Sequence, residues 1–268
     1  MGLRQEIYCA FTKKRFGEAV NFKHLRKSKS FVFVLPCSLS GAIDCLPGLA
    51  GLVKERRGIQ VRLLIPDTQE SLFKMLDHHS IEKVFYRPPI KLFNKTFQSL
   101  RKRFTTAVFD VLADLNSVPN RAMAYLVRAR YRLGLRVGRM FPYYNLDLAT
   151  GNSNQVFALW SVTERSAECL FPLDSEHKKL LAGTLGKKYK PLLFVNGRKV
   201  DYHADEIRNR WPGSAVVLSS KHPSAGAGWL AIGEGDERIL PLLQMSEAYL
   251  GPDDDLGHLA RAFFRRVL

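Results

Sequence analysis

Acidic residues are scarce in this chain: 25 Asp and Glu stand against 41 Lys and Arg, a formal net charge of +16 over 268 residues. A bias of that size creates a long-range field that attracts phosphates, anionic lipid or nucleic acid, and it gives the sign of a partner rather than its identity. Cysteine is sparse as well. Cys9, Cys37, Cys45 and Cys169 form no Cys-x-x-Cys pair and no pairing with His at metal spacing, so no metal site is expected and a reducing, cytoplasmic compartment is the simple expectation. No apolar run reaches the roughly 18 residues that span a bilayer, and no signal-peptide pattern opens the chain, so a soluble or membrane-peripheral protein is expected. A glycine-rich nucleotide loop is also missing: Gly226, Gly228, Gly233 and Gly235 do not follow a strand in such a pattern and read as a turn-rich connection. No DNA-binding motif is present, which leaves charge as the sole argument for nucleic acid and makes it the least favoured partner.

What is present is a core. With 46% hydrophobic residues the chain can fill one large or two modest domains. Its organising stretch is Phe31 to Val53. The unbroken apolar run Phe31–Leu35 suits a strand buried on both faces, as in a parallel α/β sheet. Leu46, Leu49, Leu52 and Val53 then recur at helical spacing, with Pro47 where a helix tolerates it in its first turn. The loop from Pro36 to Asp44 therefore opens at the carboxyl end of a central strand, where open α/β sheets place ligands. Val61–Ile65 and Lys83–Tyr86 read as the next strands, with a short helix over Gln69–Leu76, in a β-α-β beat that favours a right-handed crossover. His78 and His79 read as loop residues that share no metal.

Two basic segments flank this unit. Residues 1–29 form an arm in which Lys and Arg alternate with Ile7, Tyr8, Phe11, Phe16, Val20 and Phe22, which fits either an anionic membrane face or a solvated helix packed on the domain. Lys91–Arg103 reads as a helix that buries Phe93, Phe97 and Leu100 and leaves its cations outside. Farther on, Phe109–Asn116 reads as a strand, Arg121–Ala129 as a helix and Tyr131–Leu135 as another strand. Asp110 and Asp114, four apart on a strand, stand about 13 Å from each other at the usual rise, too far for a hydrolytic carboxylate pair. Asp114, at the strand's carboxyl end, is a ligand-site candidate, or else a cap for the turn at Asn116-Ser117. Residues 140–171 read as an inter-domain region with a helix over Gln155–Ala167. A helix over Asp174–Leu185 precedes a second set of strands at Leu192–Val195, Ala215–Leu218 and Ala248–Leu250.

Three of these segments together resemble the heptosyltransferase-type glycosyltransferases of family 9, which act in lipopolysaccharide synthesis. Cys37-Ser38-Leu39, followed by Pro47, resembles the Ser-Ser-Leu-Gly-Asp segment of that family and the proline behind it. Phe109–Asn116 resembles its Tyr-Asp-Leu-Val-Ile-Asp-Leu-Gln strand, and Tyr131–Leu135 its Arg-Ile-Gly-Phe strand. Near the end, Asp253, His258, Leu259 and Ala260 stand in register with Asp-Ser-Gly-Pro-x-His-Leu-Ala. The resemblance implies an α/β chain of two Rossmann-like domains in a glycosyltransferase-B-like architecture, with an acceptor-side domain at 30–172 and a shortened donor-side domain at 173–268. It implies a nucleotide-sugar donor, an anionic glycolipid or membrane surface as the acceptor side, and no cofactor.

By the same resemblance, Ser38, Ser40, Gly41 and Asp114 line the first ligand loop, and Arg198, Lys199, Asp253 and His258 lie near the donor phosphates. Two departures bear on mechanism. The family's aspartate base falls on Gly41, which has no side chain, so Asp44, one helical turn on, becomes the candidate catalytic residue. The Ser and Gly of the later motif have become Asp254 and Asp255, so successive carboxylates face a site meant for an anionic diphosphate and are expected to cap their own helix. After that motif only Arg261–Leu268 remains, where the family continues with a further strand. Two functions follow from these residues: a sugar transferase at the inner membrane face, or a non-catalytic relative that binds a glycolipid, membrane or protein partner.

Overall fold

Phe31, Val32, Phe33 and Val34 have no exposed surface, and the alternation of their side chains sorts them onto two faces. Phe31 and Phe33 meet Trp160 edge-on at 5.2 and 6.3 Å, and Phe33 also meets Phe157 at 5.2 Å. Val32 and Val34 join the opposite cluster with Leu64, Val84, Phe104, Leu112 and Tyr144. This strand, β1 (Ser30–Val34), is thus covered on both sides, which is why its sequence shows no polar alternation.

The computed structural model describes residues 20–105, 107–135, 143–148, 153–173, 192–196, 207, 209–210, 215–219, 229–232, 238–263 and 265–267. They fall in two units, Met1–Arg165 and Ser166–Leu268; the expected boundary at 172 lies inside the second. The first unit adds β2 (Gln60–Pro66), β3 (Ile81–Tyr86), β4 (Val108–Asp114), β5 (Arg128–Leu135) and β6 (Leu146–Leu148) to β1. All pairings are parallel, in the order β3-β2-β1-β4-β5-β6. The order reverses between β1 and β4, which opens a crevice at their carboxyl ends.

Helices α1 (Phe22–Arg26), α2 (Leu39–Asp44), α3 (Leu46–Glu55), α4 (Glu70–Lys74), α5 (Lys95–Phe104) and α6 (Arg121–Leu126) belong to this unit. Helix α3 is buried from Leu46 through Val53. A β-carbon on Gly48 would stand 2.3 Å from the Phe157 ring, and one on Gly51 would stand 2.1 Å from the Thr163 carbonyl, so these glycines let residues 153–163 lie directly on the helix. Arg165 closes the contact, donating from its backbone N–H to the Pro47 carbonyl at 3.0 Å and pairing with Glu55. Of the basic arm only residues 20–29 are described, and they pack on the unit: Leu25 is buried, and its carbonyl accepts from the Trp160 indole N–H at 3.0 Å.

The second unit repeats the plan. Strands β7 (Leu192–Asn196), β8 (Ala215–Ser219), β9 (Trp229–Ile232), β10 (Ala248–Leu250) and β11 (Arg266–Val267) are parallel in the order β11-β10-β7-β8-β9, with helices α7 (Ile239–Met245) and α8 (Asp255–Ala262). Its order reverses between β7 and β10. Phe171 and Phe263 meet edge-on at 6.0 Å, and Arg265 is held by Glu168 and the Gln244 carbonyl.

Several expectations change. The loop from Pro36 to Asp44 is short, because Ser38, in an extended conformation, starts α2 at Leu39. Phe93 lies before α5, exposed and with φ of 67°, so that helix buries Phe97, Leu100 and Phe104 instead. Helix α6 stops at Leu126 rather than Ala129, since Val127 turns extended and Arg128 already pairs with Val108. Residues 153–160 and 167–170 are 3-10 turns, not one α-helix. The strand expected to be missing after the last motif is present at Arg266–Val267, and β9 occupies part of the glycine-rich connection. The helix expected over Asp174–Leu185 lies outside the described residues. His78 and His79 lie outside helix and strand, as read from the sequence, and their rings stack at 4.5 Å.

Candidate functional site

The candidate sites are two crevices, each at the carboxyl edge of one sheet where its strand order reverses. In the first, Pro36 follows β1 and its carbonyl accepts from Gln69 Nε2 at 2.8 Å, as does that of Cys37 at 3.1 Å. The Cys37 N–H donates to Asn116 Oδ1 at 3.1 Å. The segments after β1, β2 and β4 are therefore tied at one point. Tyr86 lies beside them, nearly buried, and burial together with the neighbouring Cys37 and Asp114 raises its phenol far above the ordinary value.

Asp114, the last residue of β4, organises the segment that follows it. It is fully buried, and its oxygens accept from the Asn116 N–H at 3.2 Å, Asn116 Nδ2 at 2.8 Å, the Asn120 N–H at 2.7 Å and the Tyr144 hydroxyl at 2.9 Å. Burial raises its pKa, and these donors oppose the rise. With every accepting direction used, Asp114 shapes residues 115–120 rather than presenting an oxygen to a ligand. Asp110 belongs to the other end of β4: it accepts from the Lys29 and Ser30 N–H groups at 2.7 and 3.0 Å, and its own N–H donates to Ser30 Oγ.

The remaining first-loop candidates sit at the start of α2. Ser38 is exposed, Ser40 and Gly41 are half-buried within the helix, and Asp44 is its last residue, also half-buried. Gly41 and Asp44 are three apart and so share a helix face. A β-carbon at Gly41 would stand 2.7 Å from Ser38 Oγ and 3.1 Å from Pro36 Cβ, so the position is filled by its neighbours. A shallow depression of about 470 Å³ lies nearby, at the ends of β2 and β3, lined by Asp67, Thr68, Glu70, Arg87 and Pro88. Among the described residues no group of three or more His, Cys, Asp or Glu is gathered to hold a metal.

In the second crevice the protein supplies its own anion. Asp254 is the N-cap of α8, and its Oδ1 accepts from the Leu256 and Gly257 N–H groups at 3.1 and 3.2 Å. The same carboxylate accepts from Asn196 Nδ2 at 3.0 Å and from the Tyr249 hydroxyl at 3.1 Å. Asn196 ends β7 and Tyr249 lies on β10; both are buried, and Asn196 also donates to the Tyr249 hydroxyl. Oriented N–H groups and two side-chain donors are what a phosphate takes at a helix amino end, and here a carboxylate has taken them all. A β-carbon on Gly251 would stand 2.8 Å from Asn196 Cβ and 2.6 Å from the Tyr249 hydroxyl, so the crevice is tightly filled.

Asp253 is exposed and faces away from this cluster toward the helix. Arg261, hydrogen-bonded to it, holds its pKa below the ordinary carboxylate value, and His258 Nε2 lies 3.6 Å off. Arg198 and Lys199 lie outside the described residues. The structure thus places Ser38, Ser40, Gly41 and Asp44 on one loop and helix, turns Asp114 to Asn116, Asn120 and Tyr144 instead, and sets His258 beside Asp253. Sequence reasoning missed Gln69, Tyr144, Asn196 and Tyr249. Asn196 alone carried a signal, as the polar end of a buried strand.

No family model matches the chain, and no curated protein does. Solved structures do. The glycosyl transferase family 9 structure from Veillonella parvula matches with a TM-score of 0.63 at 13% identity, over 89% of this chain and 79% of that one. The E. coli ADP-heptose lps heptosyltransferase II matches with a TM-score of 0.60 at 14% identity, over 89% and 83%. The E. coli heptosyltransferase WaaC, solved with ADP-2-deoxy-2-fluoro heptose, matches with a TM-score of 0.56 at 14% identity, over 89% and 87%. What these likenesses establish is the fold: the chain is an α/β protein of two Rossmann-like units, built as glycosyltransferases of the B type are.

Proposed function

We propose that this protein is a heptosyltransferase-like glycosyltransferase homologue of lipopolysaccharide or other cell-surface glycan assembly, working at the cytoplasmic membrane face without turning over a nucleotide sugar. The observation that carries this reading is the Asp254 carboxylate, which holds the helix N–H groups, Asn196 and Tyr249 that a donor diphosphate would need. A diphosphate entering there would meet a fixed negative charge and would have to displace four hydrogen bonds. Gly41, in the position that the family resemblance gives to the general base, offers no group to take a proton. Both halves of transfer chemistry, the base and the anion clamp on the leaving group, are therefore weakened together. What is kept is the fold, the tied loops of the first crevice and a strongly basic chain, which suit binding of an anionic glycolipid or membrane.

The face of α2 that Gly41 and Asp44 share favours one second reading, an active transferase in which Asp44 is the base. A turnover assay separates the two. Purified protein is given ADP-sugars with and without a lipid-linked core acceptor, and release of ADP is followed. The non-catalytic reading expects no release above background, whereas a rate near 1 per second, ordinary for an enzyme, overturns it. In that event loss of turnover in Asp44→Asn would assign the base.

A further inference from the structure

Arg56, just past the end of α3, is half-buried, and burial lowers its pKa with no carboxylate among the described residues to oppose the shift. Its guanidinium is not loose. Nη2 donates to the carbonyl of Arg26, the last residue of α1, at 2.5 Å, and this fixes the planar donor fork in place. A charge held partly out of water without a counter-charge is costly, and an anion brought from outside would offset that cost.

The surroundings are cationic and carry exposed apolar groups. The Gln60 N–H donates to the Lys29 carbonyl at 2.8 Å, so residues 26–29 lie against the turn at 56–60, at the amino ends of β1 and β2. Lys23, Arg26, Lys27 and Lys29 are exposed, as is Arg57, and residues 20–29 hold no Asp or Glu. The acids of this edge are engaged: Glu55 accepts from the Thr163 N–H and pairs with Arg165, and Asp110 accepts from the Lys29 and Ser30 N–H groups. Phe22 is 58% exposed and stands four residues before Arg26, so the two share a face of α1. Val108, 70% exposed, opens β4 at the same edge.

We propose that the amino edge of the first sheet docks an acidic segment of a partner protein, whose carboxylates meet Arg26 and Arg56 and whose apolar side chains meet Phe22 and Val108. Arginine and aromatic side chains together are the composition of protein interface centres, and a guanidinium fixed by a carbonyl presents its remaining donors to a carboxylate in one geometry. Single-stranded nucleic acid is bound by a groove with successive rings for its bases, whereas here one ring stands on a helix of five residues. The edge lies at the opposite end of the strands from the crevice of Gly41 and Asp114, so docking there is independent of sugar transfer and of the membrane-side role.

Fluorescence anisotropy of a labelled helical peptide titrated with the whole chain tests this, the peptide carrying Glu at i, i+3 and i+4 around a Leu, with its Gln counterpart as control. The Glu peptide alone should bind, with an affinity that falls steeply with salt. Arg26→Glu, which alters an exposed side chain and leaves the backbone carbonyl in place, should weaken binding by about tenfold or more, and Phe22→Ser by about fivefold. Arg56→Lys keeps the charge but loses the fork, and should weaken it by about threefold or more. Lys91→Glu, past the carboxyl end of β3, changes net charge as much as Arg26→Glu and should leave affinity within about twofold. No preference for the Glu peptide, equal losses in Arg26→Glu and Lys91→Glu, or unchanged affinity in both Arg26→Glu and Arg56→Lys would each overturn the proposal. So would tighter binding of single-stranded RNA or of phosphatidylglycerol vesicles at the same residues.

Discussion

Asn196 Nδ2 lies 3.0 Å from Asp254 Oδ2, a bond that joins the end of β7 to the first turn of α8 across the crevice of the second sheet. The pair makes Asp254 both a helix cap and the counterpart of two buried donors. Asp254→Ala should therefore lower stability by about 1–3 kcal/mol, from the lost cap and the orphaned Asn196 and Tyr249 donors. Asp254→Ser keeps a capping oxygen and should cost less. Thermal unfolding of the two variants checks the order; equal and negligible losses would show that the carboxylate is not held as described.

Replacing the missing base should not recover an enzyme. Gly41→Asp places a β-carbon 2.7 Å from Ser38 Oγ, which can rotate away, and 3.1 Å from Pro36 Cβ, which cannot. A net loss of about 1 kcal/mol is expected, at the low end for overpacking. Transfer should remain absent, because the anion site is still filled. Asp44→Asn should leave every measured binding property unchanged. Recovery of turnover in Gly41→Asp alone would contradict the reading that the Asp254 carboxylate keeps the donor out.

Asp110 gives the first sheet a dependence on pH. Burial raises its pKa, but hydrogen bonds from the Lys29 and Ser30 N–H groups, from the Ser30 side chain and the nearby Arg130 charge outweigh this and leave it below the ordinary value. A carboxylate whose folded pKa is depressed stabilises fully above its unfolded pKa, about 4, and loses that contribution as pH falls through the lower folded value. Asp110→Ala should thus be less stable than wild type at pH 7 by about 1.5–3 kcal/mol, the worth of hydrogen bonds to a charged group, and the gap should narrow below about pH 4. Urea unfolding across pH follows it; a gap that does not change with pH would mean that packing, not charge, is what Asp110 supplies.

How far the fold was legible depended on where each segment is buried. β1 and β4 are covered on both faces, so their apolar runs stand out, and the spacing of Leu46, Leu49 and Leu52 marks α3 because that helix is buried along its length. The start of α2 was hidden, since Ser38 makes no side-chain cap bond and nothing local distinguishes a loop from a helix there. The four-residue spacing of Phe93 from Phe97 reads as helical, a pattern that cannot register a positive φ. Of the candidate site, the three aspartates were visible as a charge anomaly and as a self-made cap. Their partners were not, because Asn196 and Tyr249 come from strands more than 50 residues apart and meet Asp254 only through the sheet order β10-β7.

Calorimetric titration of ADP and an ADP-sugar into wild type and Asp254→Ser, side by side, tests the central claim that the protein's own carboxylate occupies the donor anion site. Wild type is expected not to bind up to about millimolar ligand, where a complex would still be worth about 4 kcal/mol. Asp254→Ser should bind measurably once the charge is removed. Sub-millimolar affinity of the wild-type protein, unchanged or weakened in Asp254→Ser, would contradict it.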